Sequence, residues 1–383
     1  MRGVRSFFSV ASAMSTVVQL ALLVASCTAL QTPGGRRLGQ ARPSFAVRRG
    51  AEPPATPPTN SEAPMLAATG LTWAAVGGLV SFSGGENSKW FVTAAFGLAT
   101  ATFEDTIREP ASGFLELTAP LFILEGVLLL ALSRKLPVFS PDDQARLGVS
   151  LGLTSVATLA ALTFVFAQGA DLASPEIVAG VVALVVTTAL LGFRSVLATG
   201  IDDVAALLRT DAVALLSSGG GPFSVAGFYR SSCLVGVLVG AAFAASPVDP
   251  IGFFDSEGPV TLLMRQLCGV YITFLLCPVE SILFRNAKQN TLGAASARFL
   301  NAATGLASFL LVVDGRVQSE SSAANFKSLE PGSELLKLVE TTGDAARSQI
   351  NTNAAFAVGL LVAVFYLFQA ANAKNEGDPD LNG

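Results

Sequence analysis

Glu280 lies near the end of a run apolar enough to cross a membrane, and three ionisable side chains lie well inside such runs: Glu125, Arg265 and Arg298. Asn301 is a polar neighbour of the last. A charge near the middle of a bilayer costs roughly 2.5–3.5 kcal/mol or more. Such residues therefore pair, line a water-filled path, or hold a lipid head group or pigment. Arg298 lies about 10 Å from one membrane face and Glu125 about 13 Å from the same face, at 1.5 Å rise per residue. The two are expected to pair. Arg298 reaching Glu280 across the short 284–291 loop is the alternative. Such a pair either registers helices or faces a polar cavity.

The rest of the composition narrows the chemistry. There is no histidine, hence no imidazole base, proton shuttle or metal ligand. The four cysteines are Cys27, Cys233, Cys268 and Cys277. Cys268 and Cys277 are nine residues apart, on opposite faces of one helix, and cannot bond to each other. Neither a zinc spacing nor a phosphate or dinucleotide fingerprint is present. The chain reads as no enzyme. It implies no cofactor beyond a bound lipid or pigment. After the first 51 residues it is acidic, with no basic stripe that would serve nucleic acid.

The elements that must position these residues are membrane helices. The chain of 383 residues is 51% hydrophobic and only 14% charged, well below the roughly 25% of soluble domains. Eight runs predict spans: about 90–103, 114–133, 147–168, 177–197, 231–246, 259–283, 292–313 and 354–371. A ninth run at 65–82 is long enough to span or to lie flat. Residues 201–217 place Val204, Leu207, Leu208 and Leu215 on one face, the pattern of an interfacial helix. The fold class is all-α, a polytopic transmembrane bundle whose partner is the lipid bilayer. One side of the threaded chain collects Arg134, Lys135, Arg146, Arg194, Arg209, Arg230, Arg285 and Lys288. Short segments on the other side carry Arg108 and otherwise acids such as Glu104, Asp105 and Asp249. The basic side, called side A below, is expected to be cytosolic or stromal.

Two stretches about 145 residues apart look alike. Leu292 to Phe309 and Leu147 to Phe164 share Leu, Gly, Ala and Phe in register, and "LEGV" at 124–127 parallels "LCGV" at 267–270. This predicts a parallel duplication of a four-helix unit. Unit one covers 65–200. A link with the interfacial helix covers 201–221. Unit two covers 222–373, with an extramembrane insertion at 314–352. An even number of helices relates the units by an axis along the membrane normal. The third helix of each unit opens with a small pair for close packing, Gly148/Gly152 and Gly293/Ala297. Within the insertion, Ser333 is a candidate N-cap for a helix presenting Leu335, Leu336 and Val339. Residues 374–383 form a polar tail.

The N-terminal end reads as an address. Arg2 and Arg5 precede the short apolar core "VVQLALLVA" and then "SCTA", a signal peptide over 1–29. Residues 30–50 are basic and acid-free and contain "SFAVRR" with Phe45. In tandem these segments resemble the signal-plus-transit presequence of plastid proteins in algae with secondary plastids, dinoflagellates among them. That resemblance implies a plastid membrane, thylakoid before envelope, with thylakoid membrane proteins as partners. An ordinary secretory-pathway membrane is the fallback. Residues 51–64 are a proline-rich linker. "ESILFRNA" at 280–287 looks like part of the light-harvesting antenna helix signature, but Leu283 stands where that motif has His or Asn. The expected function is a non-catalytic subunit or assembly factor of a membrane complex. The alternative is a small-solute or ion transporter that uses the Glu/Arg pair.

Overall fold

The computed structural model describes residues 62–82, 86–96, 110–134, 139–167, 174–201, 203–217, 224–245, 259–327 and 345–374. The presequence, most of the linker, the segment 328–344 with Ser333 and its expected helix, and the tail from 375 lie outside the described residues. All regular structure among the described residues is helical. The helices are α1 (Glu62–Ser81), α2 (Glu86–Phe96), α3 (Pro110–Arg134), α4 (Pro141–Ala167), α5 (Pro175–Leu197) and α6 (Val204–Ser217). They continue with α7 (Val225–Ala245), α8 (Pro259–Tyr271), α9 (Cys277–Lys288), α10 (Ala295–Lys327) and α11 (Ala345–Asn372). A π-helical turn, Ile272–Leu276, joins α8 to α9. Seven stretches are long and apolar enough to cross a membrane. They are α1, α3, α4, α5, α7, the continuous α8–α9 and the first part of α10; a shorter apolar stretch lies within α11. The chain is a multi-pass helical membrane protein.

Local sequence sets the helix ends. Ser140 caps α4: its Oγ accepts from the Asp143 amide at 3.1 Å and donates to the Asp143 carboxylate at 2.8 Å, with Pro141 at the first helical position. Asp203 and Ser224 cap α6 and α7 in the same way, accepting the amides of Ala206 and Gly227. Helix α9 closes through Asn290, in the left-handed region at φ 54°. Its amide reaches Ala287 O, and the Thr291 amide reaches Asn286 O, the two bonds of a Schellman motif.

Close packing comes from glycines, and most of these contacts lie outside the predicted pairs. A Cβ on Gly126 of α3 would sit 2.5 Å from the Gly70 carbonyl oxygen and 2.6 Å from the Ala74 amide of α1. A Cβ on Gly269 of α8 would sit 2.5 Å from both the Gly240 carbonyl oxygen and the Ala244 amide of α7. Gly148 and Gly152 of α4 face α5, where a Cβ would meet Ser195, Gly192 or Phe193 at 2.3 to 2.7 Å. Gly293 differs from its expected role. It lies in the turn ahead of α10, which begins at Ala295, and so offers no helical small-residue pair with Ala297. Ala297 itself is fully buried in the first turn.

The run at 65–82 is an apolar helix, α1, packed along α3. The run at 90–103 is described only to Phe96. Helix α2, 11 residues long, spans about 16 Å, half the hydrocarbon thickness. It is fixed by Ser88, whose hydroxyl donates to buried Glu116 at 2.5 Å. Helix α6 half-buries Val204, Leu207, Leu208 and Leu215 and has no fully buried residue. Large apolar side chains such as Leu190, Leu238, Leu361 and Phe368 are exposed on the outer faces. Outward Thr72, Thr163 and Thr187 bond the carbonyl four residues earlier in their own helices. That satisfies a hydroxyl which lipid cannot.

Candidate functional site

The intramembrane charges do not meet as the sequence predicts. Arg298 pairs with neither Glu125 nor Glu280. Because α10 begins at Ala295, Arg298 stands in its first turn and not at mid-span. Its Nε and a terminal nitrogen donate to Ala370 O at 2.7 Å and Ala371 O at 2.6 Å. These are unpaired carbonyls at the C-terminus of α11, the negative end of that helix. Two further arginines do the same work. Arg230 in α7 donates to Leu215 O at 2.6 Å and Leu216 O at 3.2 Å, closing α6. Arg265, fully buried in α8, donates to Phe243 O at 3.2 Å near the end of α7. Three arginines of the bundle are thus helix-end caps.

The carboxyls are held by tyrosines. Tyr271 Oη donates to Glu125 Oε2 at 2.7 Å. The Tyr271 ring packs against Phe122 and Trp73, with centroids 4.9 and 6.3 Å away. The Trp73 indole N–H donates to Thr188 at 2.8 Å. This centre joins α1, α3, α5 and α8. Glu125 is fully buried, and its Oε1 has no hydrogen-bond partner. Tyr366 Oη donates to Glu280 Oε1 at 2.6 Å, and Ser232 Oγ donates to the same oxygen at 2.6 Å. Nearby, Tyr229 Oη donates to Asn301 Oδ1 at 2.5 Å, and Asn301 Nδ2 donates to Ala297 O at 3.1 Å. This second centre joins α7, α9, α10 and α11.

Next to Glu280 sit two thiols. Cys233 of α7 and Cys277 of α9 are buried and free. Each thiol lies against the other's backbone carbonyl, at 3.4 and 3.6 Å. Their sulfurs and a Glu280 carboxylate oxygen all lie within 4.8 Å of one another. Among the described residues this is the group with the geometry to hold a metal ion. The third cysteine of the spans, Cys268, is buried elsewhere in α8.

Pro278 shapes this region. It lacks the N–H that would reach the Phe274 carbonyl four residues back. The chain widens into the π-helical turn, where the Cys277 amide bonds Ile272 O. Ser150 of α4 donates to the Phe274 carbonyl. A helix break is thereby repaired by a neighbouring helix.

On side A the charges form a network. Arg146 forks onto Asp211 of α6 and lies 3.7 Å from Asp143. Arg285 of α9 pairs with Asp143 and lies 3.9 Å from Asp142. Arg146 and Arg285, two of the basic residues read from the loops, therefore have their own acids, and these pairs tie α4 to α6 and α9. Sequence reasoning missed these acids, the cysteine pair and the tyrosines. One signal was available. The chain holds three tyrosines; Tyr271 and Tyr366 fall inside predicted spans, Tyr229 falls just before one, and all three hydrogen-bond a predicted polar residue. Comparison of the chain with protein-family models, curated proteins and solved structures gives no match.

Proposed function

We propose that this chain is a non-catalytic plastid membrane protein, a structural subunit or assembly factor of a thylakoid membrane complex. It crosses the membrane eight times, by α1, α3, α4, α5, α7, α8–α9, α10 and α11, with α2 lying on the side opposite side A. The observation that carries the reading is how the polar groups within the bundle are used. Arg230, Arg265 and Arg298 fasten helix ends, and Tyr229, Tyr271 and Tyr366 fasten side chains between helices. This is the chemistry of a scaffold. The plastid address rests on residues 1–50. An open groove of about 500 Å³ between α1 and α5, lined by Thr69, Thr72, Val76, Gly180 and Leu184, is a shallow apolar surface of the kind other membrane helices pack on.

The bundle is a parallel duplication with α1, not the run at 90–103, as the first helix of unit one. What supports this is the shared contact. Gly126 in "LEGV" presses on Gly70 and Ala74, as Gly269 in "LCGV" presses on Gly240 and Ala244, with the same spacing of four residues. Helices α4 with α5 and α10 with α11 then correspond as the last pairs of each unit.

A second reading, solute or ion transport, draws on the widened turn at 272–276 between two buried carboxyls. One experiment separates the two. Plastid membranes are solubilised in mild detergent, resolved on a native gel and probed with an antibody to 314–352. A band at the size of a photosynthetic complex is the expected result. Signal only at monomer or dimer size in envelope fractions would overturn the subunit reading and make uptake assays on Glu125→Gln the next step.

A further inference from the structure

We propose that Cys233, Cys277 and Glu280 form a binding site for a divalent cation of the zinc class, clamping α7 to α9 inside the membrane. The ligand set is two sulfurs and one carboxylate oxygen within 4.8 Å of one another. Around a tetrahedral zinc, with bonds of about 2.3 Å to sulfur and 2.1 Å to oxygen, the ligand atoms stand about 3.6–3.8 Å apart. Small side-chain rotations bring the group to that spacing. The second observation concerns Glu280. Its side chain is 3% exposed, and Oε1 is fully engaged by Tyr366 and Ser232, while buried Oε2 has no hydrogen-bond partner. A carboxylate oriented by fixed donors on one oxygen and free on the other is how proteins present a metal ligand. Oε2 and Cys277 Sγ border the same spot. A Cβ on Gly236 would lie 2.8 Å from that sulfur and 3.9 Å from that oxygen.

Charge selects the class of ion. Two thiolates and a carboxylate carry three negative charges. A divalent ion leaves one in excess and a monovalent one leaves two, a worse burden in a low-dielectric interior. Thiolate sulfur favours zinc-like over oxygen-loving ions such as magnesium or calcium. Each thiol gives up its proton on binding, and the weak contacts to the opposite carbonyls are released. Three protein ligands leave a fourth position open.

The test uses the full chain, purified in mild detergent under reducing conditions, stripped with chelator and titrated with cobalt(II). The expected result is one cobalt per chain, thiolate-to-cobalt charge-transfer absorption in the near ultraviolet, and displacement by zinc. The band should vanish in Cys233→Ser/Cys277→Ser and persist in Cys268→Ser. Tyr366→Phe, which only frees the orienting contact, should keep the band and weaken binding about 10- to 100-fold. Gly236→Val should block the site through steric contact while every ligand remains. Elution as a monodisperse peak establishes that each variant is folded. A folded wild type without the band, or a band unchanged in the double serine variant, would overturn the proposal. So would a Cys233–Cys277 disulfide under the same reducing conditions.

Discussion

The two units proposed for the bundle share a backbone contact and differ in the polar side chains around it. In the first, Gly126 lets α3 touch α1; in the second, Gly269 lets α8 touch α7, backbone against backbone at the same spacing. Each half also buries a glutamate that a tyrosine grips by one oxygen. The grips differ in reach. Glu125 is held by Tyr271, a residue of the other half. Glu280 is held by Ser232 and Tyr366 of its own half. The first contact registers the halves against each other. The second orders one half internally and turns a free oxygen toward two thiols. Under the proposed duplication, the backbone contacts are the part that persists because only glycine tolerates them, whereas polar side chains are free to diverge.

The largest effect tests the shared scaffold. Gly126→Val and Gly269→Val each force side-chain atoms into a neighbouring backbone carbonyl that cannot move alone. Overpacking of this kind costs about 1–3 kcal/mol and sometimes more. Both should cost about 3 kcal/mol or more, read as lost thermal stability of the detergent-solubilised protein. Gly180→Val is the control, since a Cβ there meets nothing within 4 Å, and it should change little. A severe Gly126→Val beside a mild Gly269→Val would break the correspondence between halves.

The next effect tests the difference. Tyr271→Phe removes the hydrogen-bond donor from a fully buried carboxyl, which should cost about 1–3 kcal/mol. Adding Glu125→Leu should recover much of the loss, because removing both partners leaves nothing unsatisfied. Tyr366→Phe should cost less than Tyr271→Phe, since Ser232 still donates to Glu280 Oε1. Equal costs at the two tyrosines would mean that the within-half and between-half grips are equivalent.

Arg298→Leu comes third. It strips two charge-assisted bonds from the end of α11, an expected cost of about 1–2 kcal/mol. Hydrogen exchange should rise in the last turn of α11, up to Asn372, while α1 and α3 stay protected. Raised exchange around Glu125 instead would restore the pairing that the sequence predicted.

That misplaced pair shows where the sequence was legible. Helix class and the half-buried apolar face of α6 followed from the spacing of apolar residues, which is a local property. Depth was harder. The apolar run containing Arg298 begins at Leu292, but Gly293 stays in the turn and the helix starts at Ala295. That moves the arginine from the middle of a span to its edge, where a neighbouring helix end waits. Partners across helices were not legible, because Tyr271 and Glu125 lie 146 residues apart and no spacing rule connects them. The repair of the Pro278 break by Ser150 likewise depends on packing.

The smallest expected effect is the ion pair that ties the start of α1 to the end of α5. Arg194 Nε lies 3.1 Å from Glu62 Oε1, with the arginine side chain 62% exposed and the glutamate 22%. Water and salt screen it, so Arg194→Ala should cost under about 1 kcal/mol, and less in high salt. The side-A network should behave otherwise, because Asp143 and Arg146 are each 4% exposed. There Asp143→Asn leaves two arginines facing an amide, and the loss should exceed the Arg194 effect and resist salt. Thermal shifts of both variants across a salt series decide the matter. A salt-insensitive Arg194→Ala would mean that the α1–α5 seam is covered by a partner, which is the arrangement a subunit of a larger complex requires.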